Sequence, residues 1–169
     1  MADIFFSQKD DKGKWSKPEP IEGEVNTAYE DGACSFSPDG KTMYFTRCTH
    51  DPNYPRYAVI MSSNRSDASW GKPEEVKISN DTLSTFAYPA VSPDGKWLYF
   101  SSDMPGGQGG MDLWKISLDE YGYGAPENLG PQINTFADEV FPSFRANGEL
   151  YFSSDGHPGM GGLDLFRAE

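Results

Sequence analysis

Apolar residues in this chain come in short runs of alternating character, separated by glycine, proline and aspartate. Met43-Tyr44-Phe45, Leu98-Tyr99-Phe100 and Leu150-Tyr151-Phe152 are the clearest of them. No stretch carries the i, i+3, i+4, i+7 spacing of an amphipathic helix, so the pattern predicts strands throughout. The segments before these runs are related too. Phe36-Ser37-Pro38-Asp39-Gly40-Lys41 returns as Val91-Ser92-Pro93-Asp94-Gly95-Lys96 and, one residue shorter, as Phe144-Arg145-Ala146-Asn147-Gly148-Glu149. The turn residues Asp39, Asp94 and Asn147 stand 55 and 53 residues apart. Pro-Asp-Gly between two apolar strands is a hairpin turn, with proline presetting φ and glycine accepting a positive one.

Two further motifs complete each repeat. Ser101-Ser102-Asp103, a glycine-rich loop and Asp112-Leu113-Trp114 are matched by Ser153-Ser154-Asp155 through Asp164-Leu165-Phe166. Trp15-Ser16-Lys17-Pro18-Glu19 is matched by Trp70-Gly71-Lys72-Pro73-Glu74 and Tyr123-Gly124-Ala125-Pro126-Glu127. Each unit therefore holds four short strands: a ending near Phe36, Val91 and Phe144, b from Met43, Leu98 and Leu150, c around Ile60, Trp114 and Phe166, and d around Glu75 and Glu127. A four-stranded antiparallel unit repeating at this period is a β-propeller blade. A β-sandwich, the rival all-β architecture, does not require the same turn chemistry three times at near-constant spacing. The fold class is all-β, with about three and a quarter blades in one domain, divided as 3–25, 26–80, 81–133 and 134–169.

Ser-Pro-Asp-Gly-Lys followed by Tyr-Phe, with Asp-Leu-Trp and Pro-Glu-Asn-Leu-Gly downstream, resembles the TolB-like, WD-type propeller repeats of bacterial envelope proteins. The run from Asp155 to Phe166 is similar to propellers of Bacteroidetes proteins that also carry an OmpA-like domain, some of them in the type IX secretion apparatus. The resemblance implies a protein-binding scaffold, periplasmic or associated with the outer membrane. The OmpA-like domain is not in this sequence.

Asp3-Ile4-Phe5-Phe6 matches Asp112-Leu113-Trp114-Lys115, so the strand order reads c-d, abcd, abcd, abc. Closed propellers have four to eight blades. Two readings follow: a piece of a longer, six-bladed chain, or a half-propeller closed by a second copy.

Composition narrows the function. A formal charge of −12 disfavours nucleic acid and anionic membrane surfaces, both of which attract lysine and arginine. Cations, basic proteins and neutral ligands fit better. No apolar stretch is long enough to cross a membrane as a helix, and no basic and apolar leader precedes Ile4-Phe5-Phe6. This implies either a cytosolic chain or one whose targeting segment is missing from the sequence. Cys34 and Cys48 fall on one face of a hairpin but about four residues out of register, roughly 13 Å along a strand, which reads as free thiols.

The connections d-to-a and b-to-c of a propeller emerge on one face, and there the unusual residues gather. Glu30, Asp31, Asp138 and Glu139 lie on d-to-a loops; Asp103, Asp155 and His157 lie on b-to-c loops among glycines. These seven form the expected ligand or partner face. Such a face suits a cation or a polar ligand; the plain structural reading is that Asp103 and Asp155 cap their own loops while the glycines supply positive φ. No complete metal-ligand set and no cofactor is expected. The glycine-rich loop is followed by a strand and lacks Gly-Lys-Ser/Thr, which argues against a phosphate cradle. There is no nucleophile elbow for His50 or His157 to serve. A glycosidase would need two facing carboxylates, for which Glu30, Asp31, Asp138 and Glu139 are the candidates. The segment 50–57 replaces the glycine-rich loop in the first full blade, and its Tyr54, Arg56 and Tyr57 form a candidate partner loop. Trp15, Trp70 and Tyr123 recur at one repeat position and are expected to pack between blades. The sequence thus favours a non-catalytic module that binds protein, with a carbohydrate- or peptidoglycan-fragment-binding propeller as the alternative and a hydrolase third.

Overall fold

The computed structural model describes residues 2–48, 57–67 and 69–168, and every regular element among them is a β-strand. The chain opens on a hairpin of β1 (Phe5–Phe6) and β2 (Glu19–Pro20). Three antiparallel sheets follow. The first runs β3 (Glu30–Phe36), β4 (Thr42–Cys48), β5 (Ala58–Ser66), with the short strands β6 (Ser69–Trp70) and β7 (Glu74–Glu75) both paired to β5. The second repeats it with β8 (Phe86–Val91), β9 (Trp97–Ser102), β10 (Asp112–Asp119), β11 (Gly122–Tyr123) and β12 (Glu127–Asn128). The third holds β13 (Glu139–Phe144), β14 (Leu150–Ser154) and β15 (Asp164–Ala168). The order is c-d, abcd, abcd, abc, with strand d only two residues long.

The a-to-b turns explain the repeated motif. Gly40 N–H donates to the Ser37 carbonyl at 2.8 Å and Gly95 N–H to that of Ser92 at 2.8 Å, with φ of 69° and 72°. Asp39 Oδ1 accepts from Ser37 Oγ (2.6 Å) and Lys41 N–H (3.0 Å); Asp94 accepts likewise from Ser92 Oγ (2.6 Å) and Lys96 N–H (3.1 Å). In the third blade Asn147 Oδ1 takes only the Glu149 N–H, at 3.3 Å, because Arg145 stands where the other turns have serine.

Blades one and two are apolar on both faces because each packs between two neighbours, whereas the opening hairpin and blade three each pack on one face among the described residues. Ile4, Ile21 and Val25 of the opening hairpin meet Met43, Phe45, Val59, Met61 and Trp70 of blade one. Tyr44, Ile60, Val76 and Ile78 of blade one meet Leu98, Phe100 and Ile116 of blade two. Leu113, Tyr99 and Leu129 of blade two meet Leu150, Phe152 and Phe166 of blade three. The register is constant: the amides of Ile21, Val76 and Leu129 donate to the carbonyls of Ile4, Ile60 and Leu113. These layers are the core, each buried aliphatic or aromatic side chain contributing roughly 1.5–3 kcal/mol.

The expected inter-blade role of the repeated aromatics is met at Trp70, which is buried against Phe36 with ring centroids 5.7 Å apart, and whose backbone pairs with Gly23. The Tyr123 phenol lies close to that of Tyr44 in the preceding blade and, after burial, helps to raise its pKa. Trp15 departs from the pattern: it is 61% exposed, with the Lys9 ammonium 4.8 Å over its ring, because no blade precedes its hairpin among the described residues.

The a strands of neighbouring blades approach one another, β3 with β8 and β8 with β13, and so line the inner side of the arc. Each carries a bulge, and the bulged residues Ala33, Tyr88 and Phe141 have φ of 46°, 57° and 56°. Cys34 lies in the first of these bulges, and both cysteines are free.

Candidate functional site

The face bearing the d-to-a and b-to-c loops is built by side chains that bind backbone. Asn26 mimics a strand edge against Ile4, accepting its N–H at 2.8 Å and donating to its carbonyl at 2.9 Å; Asn134 does the same to Leu113 at 2.8 and 3.0 Å. Beyond each asparagine a threonine and an acid close the loop. Asp31 Oδ2 accepts Thr27 N–H and Oγ1–H at 2.9 and 2.8 Å, and Asp31 Oδ1 pairs with Arg47 Nε at 2.6 Å. Glu139 accepts Thr135 N–H and Oγ1–H at 2.7 Å each and Ser154 Oγ–H at 2.6 Å.

Asp31 and Glu139, expected on the ligand face, therefore lie beneath it, each 0% exposed. Their oxygens stabilise the loops, and they are not placed as solvent-facing carboxylates for acid–base chemistry. Asp103 and Asp155 are exposed, but they do not cap their own loops: Asp103 Oδ1 accepts the Thr85 N–H (2.7 Å) and Asp155 Oδ1 the Asp138 N–H (2.9 Å) across the sheet. His157 is also withdrawn from the face. Its Nε2 lies 2.8 Å from the Ile133 carbonyl and its ring packs 5.1 Å from Phe166 and 6.0 Å from Phe152.

The glycine-rich loops fold around their own strand's first residue. Asp112 Oδ2 accepts the Gln108 N–H at 2.5 Å and Asn128 Nδ2–H at 2.8 Å; Asp164 Oδ2 accepts the Met160 N–H at 2.6 Å. A Cβ on Gly107 or Gly159 would sit 2.2 or 2.0 Å from those carboxylates, so close approach rather than positive φ requires glycine there. The first loop also docks on blade three: Gly110 N–H donates to the Ala137 carbonyl at 3.0 Å, Glu139 N–H to that of Met111 at 2.6 Å, and Met111 N–H to Asp138 Oδ1 at 2.8 Å.

Where the a strands converge beneath this face lies a cavity of about 440 Å3, a volume typical of ligand pockets. Tyr88 and Phe141, turned inward at their bulges, form one wall with ring centroids 4.2 Å apart. The Tyr88 N–H is held by Thr46 Oγ1 of the preceding blade at 2.9 Å. Ala58, Ala87, Met111, Val140 and Leu163 add apolar surface, Cys48 and Tyr57 close one side, and Asp138 and Asp155 stand at the rim. Of the expected site residues, then, the structure brings Tyr57, Asp138 and Asp155 together; Glu30 pairs with Cys48 across the β3–β4 ladder beside them. Tyr54 and Arg56, like His50, lie outside the described residues.

The site is electronegative. Burial, and then neighbouring Cys48, Tyr57 and Asp138, push the Tyr88 phenol above its ordinary value. Cys48 and Glu30 raise that of Tyr57. Burial, then Glu30, raises the Cys48 thiol, which stays protonated and a poor nucleophile at neutral pH. Among the described residues no three histidine, cysteine, aspartate or glutamate side chains converge as a metal site, and no helix is long and apolar enough to cross a membrane.

No protein-family model and no curated protein sequence matches the chain. Among solved structures it is similar to one described as a TolB of Agrobacterium tumefaciens, at a TM-score of 0.56 and 19% identity over 96% of this chain and 60% of that one. It is similar also to a puromycin-hydrolyzing peptidase of Mycobacterium tuberculosis, at 0.56 and 18% over 90% of this chain and 22% of that one. At such identities the likeness shows the fold: this is a partial β-propeller. The chain spans only part of the length of either of these structures.

Proposed function

We propose that this partial propeller is a non-catalytic binding module that engages a protein partner through the loop-bearing face and the cavity beneath it. The observation that carries this reading is the pair Tyr88 and Phe141. Both are bulky residues in the left-handed region of φ, a conformation that costs of order 1–3 kcal/mol and persists where the surroundings impose it. The strain holds two aromatic rings at the wall of a cavity instead of in an inter-blade layer, and rigid aromatic groups bind at low entropic cost. The buried engagement of Asp31 and Glu139 supports binding over hydrolysis, since it withdraws two of the four carboxylates available for a glycosidase pair. A place in the bacterial cell envelope, in the periplasm or at the outer membrane, is part of the proposal and rests on the resemblance of the repeats to the OmpA-family and type IX secretion propellers.

Panning a random peptide library on the purified chain tests the reading, alongside a glycan array that includes peptidoglycan fragments. We expect enriched peptides whose affinity falls at least tenfold on Phe141→Ser, a variant altering an exposed ring. Peptides bound equally well by the variant, or binding confined to glycans, would replace this reading with another.

A further inference from the structure

The geometry points to a basic side chain, lysine or arginine, as the group this cavity takes from its partner, an inference that rests on the proposed binding role. Among the described residues, the only charged side chains lining the cavity are Asp138 and Asp155. Each uses Oδ1 to hold a backbone amide, of Met111 and Asp138 respectively, and no described lysine or arginine pairs with either carboxylate. The half-buried cation of the preceding blade, Arg47, is engaged by Asp31 and the Val25 carbonyl. The rim thus carries two negative charges that the described part of the chain leaves unneutralised.

The walls match the rest of such a side chain. Tyr88, Phe141 and Tyr57 present ring faces and edges, and a cation close to an aromatic ring face is attracted by the ring quadrupole. The aliphatic surface around Met111 and Leu163 suits the methylene stem that lysine and arginine lay along apolar surface while the charged head reaches polar groups. A sugar, by contrast, would require hydrogen-bonding groups distributed along the walls, and the walls are mostly apolar. An acidic or phosphorylated segment would meet like charge at the rim and from a chain of net charge −12.

The test uses four N-acetylated pentapeptides, Ala-Ala-X-Ala-Ala, in which X is lysine, arginine, norleucine or glutamate, titrated into isotope-labelled protein with amide shifts of residues 85–88 and 138–141 as readout. Lysine and arginine peptides are expected to bind at least about tenfold more tightly than the norleucine peptide, which keeps the stem without the charge. Glutamate should show no saturable shift. The preference should shrink as salt is raised, because it is electrostatic, and should disappear in the Asp138→Asn, Asp155→Asn variant, whose remaining carbonyl oxygens still hold the loop amides. Norleucine binding equal to lysine, or an undiminished preference in the double variant, would overturn the inference while leaving a peptide-binding cavity in place. Absence of any peptide binding at these amides, with the panned peptides binding elsewhere, would overturn it too; failure of both experiments would remove the proposed function itself.

Discussion

Three kinds of carboxylate do different work in this chain, and their surroundings decide which. Asp31 is fully buried, with its charge answered by Arg47 at 2.6 Å and two donors from Thr27. Asp138 and Asp155 stand at a cavity rim with one oxygen each engaged by backbone. Asp39 and Asp94 sit in exposed turns, where the serine hydroxyl first, and then the lysine amide, hold their carboxyls below the usual aspartate value. A carboxyl whose folded pKa is depressed adds stability above its unfolded pKa of about 3.9 and loses it as pH falls through the folded value. The Asp39→Asn, Asp94→Asn variant should therefore melt below the parent at neutral pH, with the gap closing as pH drops below about 4. Thermal melts across that range check it, and a gap that stays constant would show that hydrogen-bond geometry, not charge, stabilises these turns. The role of the turn residues was legible in the sequence, since Pro-Asp-Gly states its own chemistry. The burial of Asp31 and Glu139 was not, because adjacent acids beside a turn look the same whether they face water or the neighbouring strand.

At the scale of elements, the ends of the a strands and the abcd order follow directly from the repeat, whereas the bulges depend on contacts between blades. A trace of them is present in Tyr88-Pro89 and Phe141-Pro142, aromatic-proline pairs at equivalent positions, since proline inside a strand favours a bulge. The cavity they line was out of reach of sequence reasoning, as it joins β4, β5, β8, β13 and two loops from different blades. The glycine-rich loop makes a sharper demand. A Cβ on Gly109 would lie 2.2 Å from the Phe136 carbonyl carbon, and that atom belongs to backbone that itself holds Asp138 and the docked loop. A Cβ on Gly32 would meet nothing within 4 Å, and its backbone has no positive φ. Gly109→Ala should cost about 1–3 kcal/mol, the range for overpacking, and broaden the amide signals of residues 136–139, while Gly32→Ala should stay within about 0.5 kcal/mol of the parent. Urea denaturation compares them, and equal stability of the two variants would mean that the loop can move away without penalty.

For the whole molecule the decisive quantity is the repeated position Ile60, Leu113, Leu165. The first two are 1% and 0% exposed because the next blade covers them; Leu165, on β15, is 72% exposed. Beside it the outer edge of β15 has no d strand among the described residues, and at the other end of the arc Phe5 and Trp15 are 54% and 61% exposed where their counterparts Met61 and Trp70 are each 9%. Every junction inside the arc sets the Ile60-type face of one blade on the opposite face of the next. Repeating that head-to-tail junction with a second copy would cover both ends at once and close a ring, the outcome expected of heterologous interfaces whose rotation closes. Each fully buried leucine or phenylalanine adds roughly 1.5–3 kcal/mol to such a junction. The 169-residue polypeptide should therefore self-associate, with light scattering across a dilution series showing dimers that dissociate on dilution. Leu165→Glu should yield folded monomers that melt where the parent melts once dilution has dissociated it, whereas Leu113→Glu, at the same repeat position inside the arc, should unfold the chain. A monodisperse 18.7 kDa species at high concentration, resistant to proteolysis at β1 and β15, would show that the open arc is stable with its end faces in water and that closure by a second copy is wrong.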